Sequence, residues 1–226
     1  MSTNTFTQRY GGVSTGVYSS LNLGTHVGDD AKAVAENRRI LSNTYSGLQF
    51  MSQVHGDRVA VIERARDDIA RDDIAGVDAL ITSTPGITLA VLVADCIPLL
   101  IRSENAVAAV HVGRKGLVNG LTERVIEIMN EMGSTSFTAT IGPHICGKCY
   151  EVSPELALEV STQYPQARSM TKDLTAALDI GAGLRSILDT HNFAIDDQSR
   201  CTVENLDLFS YRRDGVTGRQ AGLISL

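Results

Sequence analysis

Residues 87–111 read ITLAVLVADCIPLLIRSENAVAAVH and contain the most apolar run of the chain. Residues 89–94 carry few polar atoms, which is typical of a strand covered on both faces. Pro98 is expected to interrupt the chain before a second strand over residues 99–102. A third strand is expected over residues 106–111, after a turn. Strands this apolar predict a sheet that is buried between other layers.

Further strands and helices are predicted along the rest of the chain. Periodicity and turn residues predict strands over residues 6–9, 59–62, 79–82 and 137–141, and a closing hairpin of residues 209–213 and 221–226. Helical spacing predicts helices over residues 117–132 and 184–190. Capping residues predict one helix that starts at Asp29 or Asp30 and ends near residue 43, and another that starts at Ser153. The polar residues 64–73 are expected to form a loop or a short exposed helix. Because strands and helices mix throughout, the fold class is α/β.

Composition limits the class of protein. The chain has 226 residues, of which 43% are hydrophobic and 20% are charged, and it contains no low-complexity segment or linker. This favours a single domain over residues 1–226. Aromatic residues make up only 5%, Trp is absent, and the formal net charge is -6. We therefore expect no nucleic-acid partner, since neither aromatic platforms nor a basic surface are indicated.

The sequence also predicts a compartment. Residues 1–8 are polar, and no basic segment followed by an apolar run is visible. The apolar run over residues 87–101 is shorter than the roughly 20 residues that a membrane span needs. We expect a cytoplasmic protein with no membrane partner. Its four cysteines would then be reduced, and open to packing, metal binding or catalysis.

Three unusual polar side chains occur where predicted strands meet loops. Cys96 follows the apolar strand, His111 ends the third strand, and His55 comes just before a strand at residues 59–62. Two imidazoles and a thiolate suit zinc, with a fourth position left for water or substrate. The residues alone leave an alternative open, because a buried cysteine is commonly a small hydrophobe and an isolated histidine is commonly structural.

Other polar motifs carry weaker signals. Cys146 and Cys149 have the spacing of half a zinc site or of a redox pair, but no second such pair exists, so a cysteine-containing turn is expected. Arg212 and Arg213 are expected on a strand, where neighbouring side chains point to opposite faces, so at most one of them would bind phosphate. Asp95 is a candidate for orienting His111 or a neighbouring backbone amide.

The order of short motifs along nearly the whole chain resembles one family. These motifs are Arg9-Tyr10-Gly11-Gly12-Val13-Ser14, Ser20-Leu21-Asn22-Leu23-Gly24, Val27-Gly28-Asp29 with Asn37-Arg38, Gln53-Val54-His55-Gly56, Asp78-Ala79-Leu80, Ala94-Asp95-Cys96, His111-Val112-Gly113 with Gly116, Ile141-Gly142-Pro143 with Tyr150-Glu151-Val152, and Ser210-Tyr211-Arg212-Arg213-Asp214-Gly215 with Thr217-Gly218-Arg219. Together they resemble the YfiH-like family, also called laccase-domain proteins, multicopper polyphenol oxidases or peptidoglycan editing factors.

The resemblance implies a fold and an activity. The implied fold is a four-layer α/β/β/α sandwich with mixed sheets, and the implied cofactor is one zinc ion bound by the catalytic residues His55, Cys96 and His111. The implied reactions are phosphorolysis of adenosine, inosine and methylthioadenosine with inorganic phosphate, and deamination of adenosine. Candidates for substrate binding are Arg9, Asn22, Arg38, Lys115 and Arg212. Copper is the less expected metal, because five histidines are too few for several copper centres.

One motif departs from the family pattern. Residues 111–116 read HVGRKG, where the family usually has His-Ala-Gly-Trp-Arg-Gly. An indole is lost, and Lys115 replaces a guanidinium. An ammonium cannot grip phosphate in the bidentate manner of arginine, so Lys115 is expected to be a poorer phosphate ligand.

Four alternative functions stay open at this stage. Cys96 and His111 would also serve a cysteine hydrolase as nucleophile and base, and the same fold resemblance includes cysteine-dependent toxins. Editing of a peptidoglycan precursor and copper-dependent phenol oxidation follow from two of the family names. A non-catalytic binding protein that kept the fold is the fourth, and the altered residues Arg114 and Lys115 are its only hint.

Overall fold

The computed structural model describes residues 3–66 and 73–226. The strands are β1 (Thr3–Phe6), β2 (Leu48–Gln49), β3 (Met51–Ser52), β4 (Val59–Val61), β5 (Ile74–Ala75), β6 (Ala79–Thr82), β7 (Thr88–Val93), β8 (Ile97–Arg102), β9 (Val107–Val112), β10 (Thr138–Ile141), β11 (Arg168–Met170), β12 (Ala176–Leu178), β13 (Ala194–Asp197) and β14 (Gln220–Ser225). The α-helices are α1 (Ala31–Ser42), α2 (Arg114–Val118), α3 (Leu121–Glu131), α4 (Pro154–Gln163), α5 (Ile180–Thr190) and α6 (Tyr211–Asp214).

Two mixed sheets form the centre of the fold. One has four strands in the order β1-β14-β7-β2, and the other has six in the order β13-β10-β8-β9-β6-β4. Each contains both pairings: β7 runs antiparallel to β14 and parallel to β2, while β10 runs antiparallel to β8 and parallel to β13. The pairs β3–β5 and β11–β12 make two further two-stranded sheets.

Three apolar clusters show how the layers stack. Alternate residues of the sheets face each other in one cluster, in which Leu89 and Val91 of β7 meet Leu100 of β8. The opposite face of the six-stranded sheet packs against α2, α3 and α5. The opposite face of the four-stranded sheet packs against α1 through Leu41. This is the expected α/β/β/α sandwich with mixed sheets.

The segment 87–111 confirms the expectation of a buried sheet. All six residues of β7 are buried, as are all six of β9, because each strand has a core on both faces. Pro98 was expected to interrupt the chain, but it lies inside β8. It causes no break because its carbonyl still accepts a hydrogen bond from Gly142 N at 3.1 Å, so only its missing N–H is lost to the ladder.

Three predicted elements differ from the structure. The strand expected over residues 6–9 shares only Phe6 with β1, which spans Thr3–Phe6. The helix expected over residues 117–132 is divided into α2 and α3, since Gly120 adopts a left-handed conformation (φ 75°) between them. The closing hairpin does not form: α6 occupies its first arm, and β14 pairs with β1 and β7 instead. Most of the loop expected over residues 64–73 lies outside the described residues.

The structure confirms two predicted helix caps. Asp30 caps α1 by accepting a hydrogen bond from Lys32 N, and Ser153 caps α4 by accepting one from Leu156 N. Within residues 3–66 and 73–226, no helix has the length and apolarity that crossing a membrane requires.

Candidate metal centre and its cavity

Three side chains from three parts of the chain converge in the structure. His55 lies in the turn between β3 and β4, Cys96 follows β7, and His111 lies in β9; we call them the His–Cys–His trio. Their ligand atoms all lie within 4.8 Å of one another. The two imidazole rings meet edge to face, with centroids 4.7 Å apart, and Cys96 Sγ lies 3.8 Å from His55 Nε2. The sequence named these three residues, and the fold brings them together.

Asp78 holds two members of the trio in place. This fully buried carboxylate accepts hydrogen bonds from the backbone N–H groups of Val54, His55 and Gly56 at 3.2, 2.9 and 2.7 Å. It also contacts His111 Nδ1 at 2.8 Å. The hydrogen bonds to the turn stabilise His55 in the left-handed backbone conformation (φ 59°), which few residues other than glycine adopt. Because Nδ1 is engaged, His111 presents Nε2 to the other members.

Sequence reasoning missed this role of Asp78. The residue occurs in a recognised motif, but Asp95 was considered as the partner of His111. In the structure Asp95 Oδ1 accepts hydrogen bonds from the hydroxyls of Thr202 and Ser210 at 2.6 and 2.7 Å, and Oδ2 accepts one from Arg212 N at 2.6 Å. Asp95 therefore organises the chain around residues 202–212, and it does not contact His111 through any of these bonds.

The trio polarises its own sulfur. Burial alone raises the pKa of the Cys96 thiol, but the charge and hydrogen bonds of His111 and His55 outweigh burial and lower this pKa to about 6. Burial lowers the pKa of His111, yet Cys96 and Asp78 outweigh it and raise the value to about 9. These opposite shifts favour a thiolate beside an imidazolium when no metal is bound.

The space around the trio fits a single ion. Thiolate and imidazole are zinc donors, and three protein ligands with an open fourth position are typical of catalytic zinc. Gly113 borders the site closely, since a Cβ atom there would lie 3.1 Å from Cys96 Sγ and 3.2 Å from His55 Cδ2. A side chain at this position would press on two of the three donors. The donor set and the bare glycine are both compatible with a bound metal.

A cavity of about 570 Å³ opens beside the trio. This volume suits a small organic molecule. Besides the trio, the ionisable and aromatic side chains of the lining are His26, Asp95, Arg114, Lys115, Tyr150, Tyr211, Arg212 and Arg219. The lining is therefore cationic, with four Lys or Arg side chains against the one carboxylate of Asp95, although the whole chain carries a formal net charge of -6. Two tyrosines belong to the same lining.

Two arginines are anchored at the cavity. The Arg212 guanidinium lies 5.0 Å from the centre of the Tyr150 ring and donates a hydrogen bond to the carbonyl of Glu151 at 2.8 Å. Arg219 is half buried and donates to the carbonyls of Thr217 and Gly218 at 3.0 and 2.9 Å. Sequence reasoning assigned no role to Arg219 and Tyr150, although both occur in recognised motifs.

The neighbouring Arg213 has a different environment from Arg212. Both were expected on a strand, but they lie on α6. The Arg213 guanidinium donates to the carbonyls of Thr202, Asn205 and Leu208 at 2.8, 3.0 and 2.8 Å. Of the two arginines, only Arg212 lines the cavity.

Three of the residues expected to bind substrate do not line the cavity. Arg9 donates a hydrogen bond to the carbonyl of Ser19 at 2.9 Å and stacks on Phe209. Asn22 and Arg38 are fully buried. Arg38 forms a salt bridge with Asp73 at 2.6 Å, which offsets the cost of burying its charge.

Asn22 supports the cavity indirectly. Its Oδ1 accepts a hydrogen bond from Arg219 N at 2.9 Å, so it positions a residue that does line the cavity. The other two expected residues, Lys115 and Arg212, lie in the cavity wall.

A second group of sulfur atoms lies outside this cavity lining. Cys146, Cys149 and Cys201 have Sγ atoms within 4.8 Å of one another, and we call them the three-thiol cluster. None of the three forms a disulfide. Burial first, and then the adjoining thiols of Cys146 and Cys201, together raise the pKa of Cys149 to about 12. The expected cysteine turn is present, with a third cysteine that sequence spacing did not reveal.

The chain matches a family model described as multi-copper polyphenol oxidoreductase laccase over residues 3–226. It is 44% identical to a purine nucleoside phosphorylase of Corynebacterium glutamicum over 98% of this chain and 93% of that protein. It is 40% identical to a purine nucleoside phosphorylase of Streptomyces coelicolor over 98% and 94% of the two chains. The chain therefore belongs to the laccase-domain, or YfiH-like, family.

Solved structures show the same fold. The hypothetical protein YfiH of Bacillus licheniformis superimposes with a TM-score of 0.91 at 28% identity, covering 100% of this chain and 92% of that one. YlmD of Geobacillus stearothermophilus superimposes with a TM-score of 0.90 at 30% identity, covering 99% and 91%. The mixed sheets described above are thus the fold of this family.

Proposed function

We propose that the protein is a zinc-dependent purine nucleoside phosphorylase that acts on adenosine, inosine and methylthioadenosine and also deaminates adenosine. The observation that carries the proposal is the convergence of His55, Cys96 and His111 within 4.8 Å at the wall of a cationic cavity. The names of the relatives support an enzyme of this class. A single catalytic domain over residues 1–226 is part of the proposal.

The trio would hold one zinc ion through Cys96 Sγ, a nitrogen of His55 and Nε2 of His111. When bound at such a site, zinc supplies Lewis acidity, by which water or a substrate oxygen is activated near neutral pH. Asp78 keeps His111 in the tautomer that leaves Nε2 free, as carboxylate partners of zinc-bound histidines commonly do.

Phosphorolysis requires that phosphate attack C1′ of the ribose. A C1′–O bond forms, the C1′–N9 bond breaks, and the departing purine takes up a proton. The phosphate carries its charge into the cavity, where Lys115, Arg212 and Arg219 are positioned to offset it. Tyr150 and Tyr211 provide the aromatic surface on which a purine can stack, in place of the tryptophan that the family motif usually contains.

Deamination of adenosine would use the same donors. Water adds at C6 of the purine and ammonia leaves, so phosphate takes no part in this reaction. The two activities therefore differ in their need for phosphate, which gives an internal check.

The test combines metal analysis with turnover. Protein purified without chelator is expected to contain zinc at the trio and to convert inosine and phosphate into hypoxanthine and ribose 1-phosphate. Cys96→Ala is the matched variant, with folding checked by circular dichroism. Metal-replete protein that leaves adenosine, inosine and methylthioadenosine unchanged in the presence of phosphate would sink the proposal.

A cysteine hydrolase is the second candidate, and one observation favours it. Cys96, His111 and Asp78 form the nucleophile, base and orienting carboxylate of such an enzyme, and the pKa of Cys96 is lowered to about 6. Zinc content separates the two candidates, because a hydrolase must keep the Cys96 thiolate free. Full hydrolytic activity of metal-free protein would favour the cysteine hydrolase.

Copper-dependent phenol oxidation has little support from the residues. All five histidines lie within the described residues, yet only His55 and His111 come together in a metal-ligating group. His144 is buried and contacts the carbonyl of Gly142 through Nδ1 at 2.8 Å. A laccase needs several copper centres, for which these side chains provide too few ligands.

A further inference from the structure

The three-thiol cluster consists of residues from two segments that are distant in sequence. Cys146 and Cys149 belong to a tight turn, in which Cys149 N and Tyr150 N both donate to the carbonyl of Cys146, at 3.0 and 3.1 Å. Cys201 comes from the stretch after β13. The backbone joins the two segments in a parallel bridge between His144 and Cys201.

The number and spacing of the thiols favour a metal over a disulfide. Three thiols cannot all pair, so one disulfide would leave a third sulfur without a partner. In tetrahedral zinc sites the Zn–S distance of about 2.3 Å puts the sulfur atoms roughly 3.8 Å apart. Sulfur atoms that all lie within 4.8 Å of one another need only a small contraction to reach this distance. A Cys-x-x-Cys turn with a third, distant cysteine is a usual arrangement in structural zinc sites.

A carboxylate lies next to one thiol of the cluster, outside the group of atoms that all lie within 4.8 Å of one another. Glu204 Oε1 is 3.9 Å from Cys149 Sγ, and the same oxygen is 2.9 Å from Lys172 Nζ. Carboxylate oxygen is an accepted zinc ligand, and structural sites are closed by four protein donors. Lys172 is exposed and would be free to release the carboxylate to a metal.

We propose that Cys146, Cys149 and Cys201, with Glu204 as the fourth donor, form a second zinc site that is structural and separate from the His–Cys–His trio. The site joins the turn over residues 144–150 to the segment over residues 200–205. Both segments lead directly to the cavity: Tyr150, next to Cys149, lines it, and Thr202, next to Cys201, bonds to Asp95 beside Cys96. The zinc thereby fixes the cavity wall without contacting substrate.

Zinc counts in four proteins test the site. Wild-type protein is expected to bind two zinc ions per chain, Cys96→Ala one, Cys149→Ser one, and the double variant none. A wild type with one zinc that is lost in Cys96→Ala and kept in Cys149→Ser overturns the proposal. A wild type with one zinc that is kept in Cys96→Ala and lost in Cys149→Ser supports the second site. The same result contradicts a zinc ion at the trio.

Cobalt substitution allows metal binding at the three-thiol cluster to be measured by absorption spectroscopy. In Cys96→Ala the trio has no sulfur, so a sulfur-to-cobalt charge-transfer band can come only from the three-thiol cluster. The band is expected in Co(II)-loaded Cys96→Ala and is expected to disappear in Cys96→Ala/Cys149→Ser. Absence of the band in Co(II)-loaded, folded Cys96→Ala overturns the proposal, as does a Cys146–Cys149 disulfide found by mass spectrometry of freshly purified wild type.

Three further variants control for misfolding and test the fourth donor. Cys201→Ser removes a ligand from the other segment and is expected to lose the same zinc as Cys149→Ser. Glu204→Gln is expected to speed release of one zinc to a chelator, while Lys172→Ala, the matched control, removes the partner of Glu204 and leaves release unchanged. A thiol-specific mercurial is expected to release two zinc ions from native wild type. The proposal is overturned if the mercurial releases a single zinc ion and that ion is the one that Cys96→Ala lacks.

Discussion

The His–Cys–His trio and the three-thiol cluster are both groups of three side chains whose donor atoms lie within 4.8 Å of one another, yet the pKa values of their cysteines shift in opposite directions. In the trio, two imidazoles lower the pKa of Cys96 to about 6. In the cluster, burial and neighbouring thiols raise the pKa of Cys149 to about 12. The comparison teaches that the neighbours of each cysteine decide the direction of its pKa shift, since burial raises the pKa in both groups and the imidazoles of the trio reverse that rise.

The difference has a structural cause. His111 can accept and keep a proton because the buried carboxylate of Asp78 contacts its Nδ1 at 2.8 Å. No imidazole takes part in the metal-ligating group of the three-thiol cluster among the described residues. A thiolate is therefore stable in the trio with or without a metal, whereas the cluster needs a cation to stabilise its thiolates.

The largest effect is expected from removing a trio ligand. Cys96→Ala should lower kcat/KM for inosine phosphorolysis by more than the roughly 100-fold that substitution of an outer-shell partner can cause, because a donor itself is lost. Steady-state kinetics measures this loss. Cys149→Ser is the contrasting variant: it should lower the melting temperature, and kcat/KM of the folded protein should fall far less than in Cys96→Ala, because Cys149 does not line the cavity. Equal losses of activity in the two variants would erase the functional distinction between the groups.

Asp78→Asn should have the next largest effect. Asp78 uses both of its oxygens as acceptors, whereas an amide has one acceptor oxygen and does not stabilise the charged or metal-bound imidazole, so zinc affinity or activity should fall by roughly 10- to 100-fold. Metal titration and kcat/KM report the change. The control is Asp57→Asn, since the Asp57 side chain is 41% exposed and lies 3.9 Å from Arg124. An unaffected Asp78→Asn variant would contradict the positioning role.

The pH dependence of alkylation should separate the two kinds of cysteine in metal-free protein. Only the thiolate reacts, so the rate at Cys96 should rise through a midpoint of about 6 and be near its maximum at pH 8 or so. The rate at Cys149 should still be rising at the highest pH that the fold tolerates, because its pKa is about 12. Peptide mapping after iodoacetamide treatment resolves the two sites.

The control for this profile is His55→Gln. It removes one of the two imidazoles that lower the pKa of Cys96, so the midpoint should move upward towards the ordinary value of 9.0. An ordinary midpoint for Cys96 in the wild type would contradict the proposed thiolate–imidazolium pair.

The smallest effect is expected at Lys115. Lys115→Arg restores a planar, bidentate cation at the cavity wall and should lower KM for phosphate by roughly two- to tenfold, with little change in kcat. Lys32→Arg on the exposed face of α1 is the matched control. If Lys115→Arg changed kcat/KM for phosphorolysis and for deamination to the same degree, Lys115 would not act on phosphate.

Much of the fold could be read from local patterns. The buried strands of residues 87–111, the cap at Asp30 and the start of α4 at Ser153 each depend on neighbouring residues, so periodicity and capping preferences predicted them. The division of α2 from α3 depends on the left-handed Gly120, and the helical spacing of apolar residues continues across it. The position of β14 between β1 and β7 depends on one partner from the other end of the chain and one from its middle, which no local pattern records.

By itself, the sequence determined the α/β class, the layered fold of the family, and the identity of His55, Cys96 and His111 as one group. These conclusions follow from residue types in order along the chain. Only the tertiary structure showed that Asp78 supports His111, that Arg38 and Asn22 are buried, and that Cys201 joins Cys146 and Cys149. The reason is physical: hydrogen bonds and sulfur contacts act over a few ångströms, and residues that are far apart in sequence reach that distance only when the sheets pack.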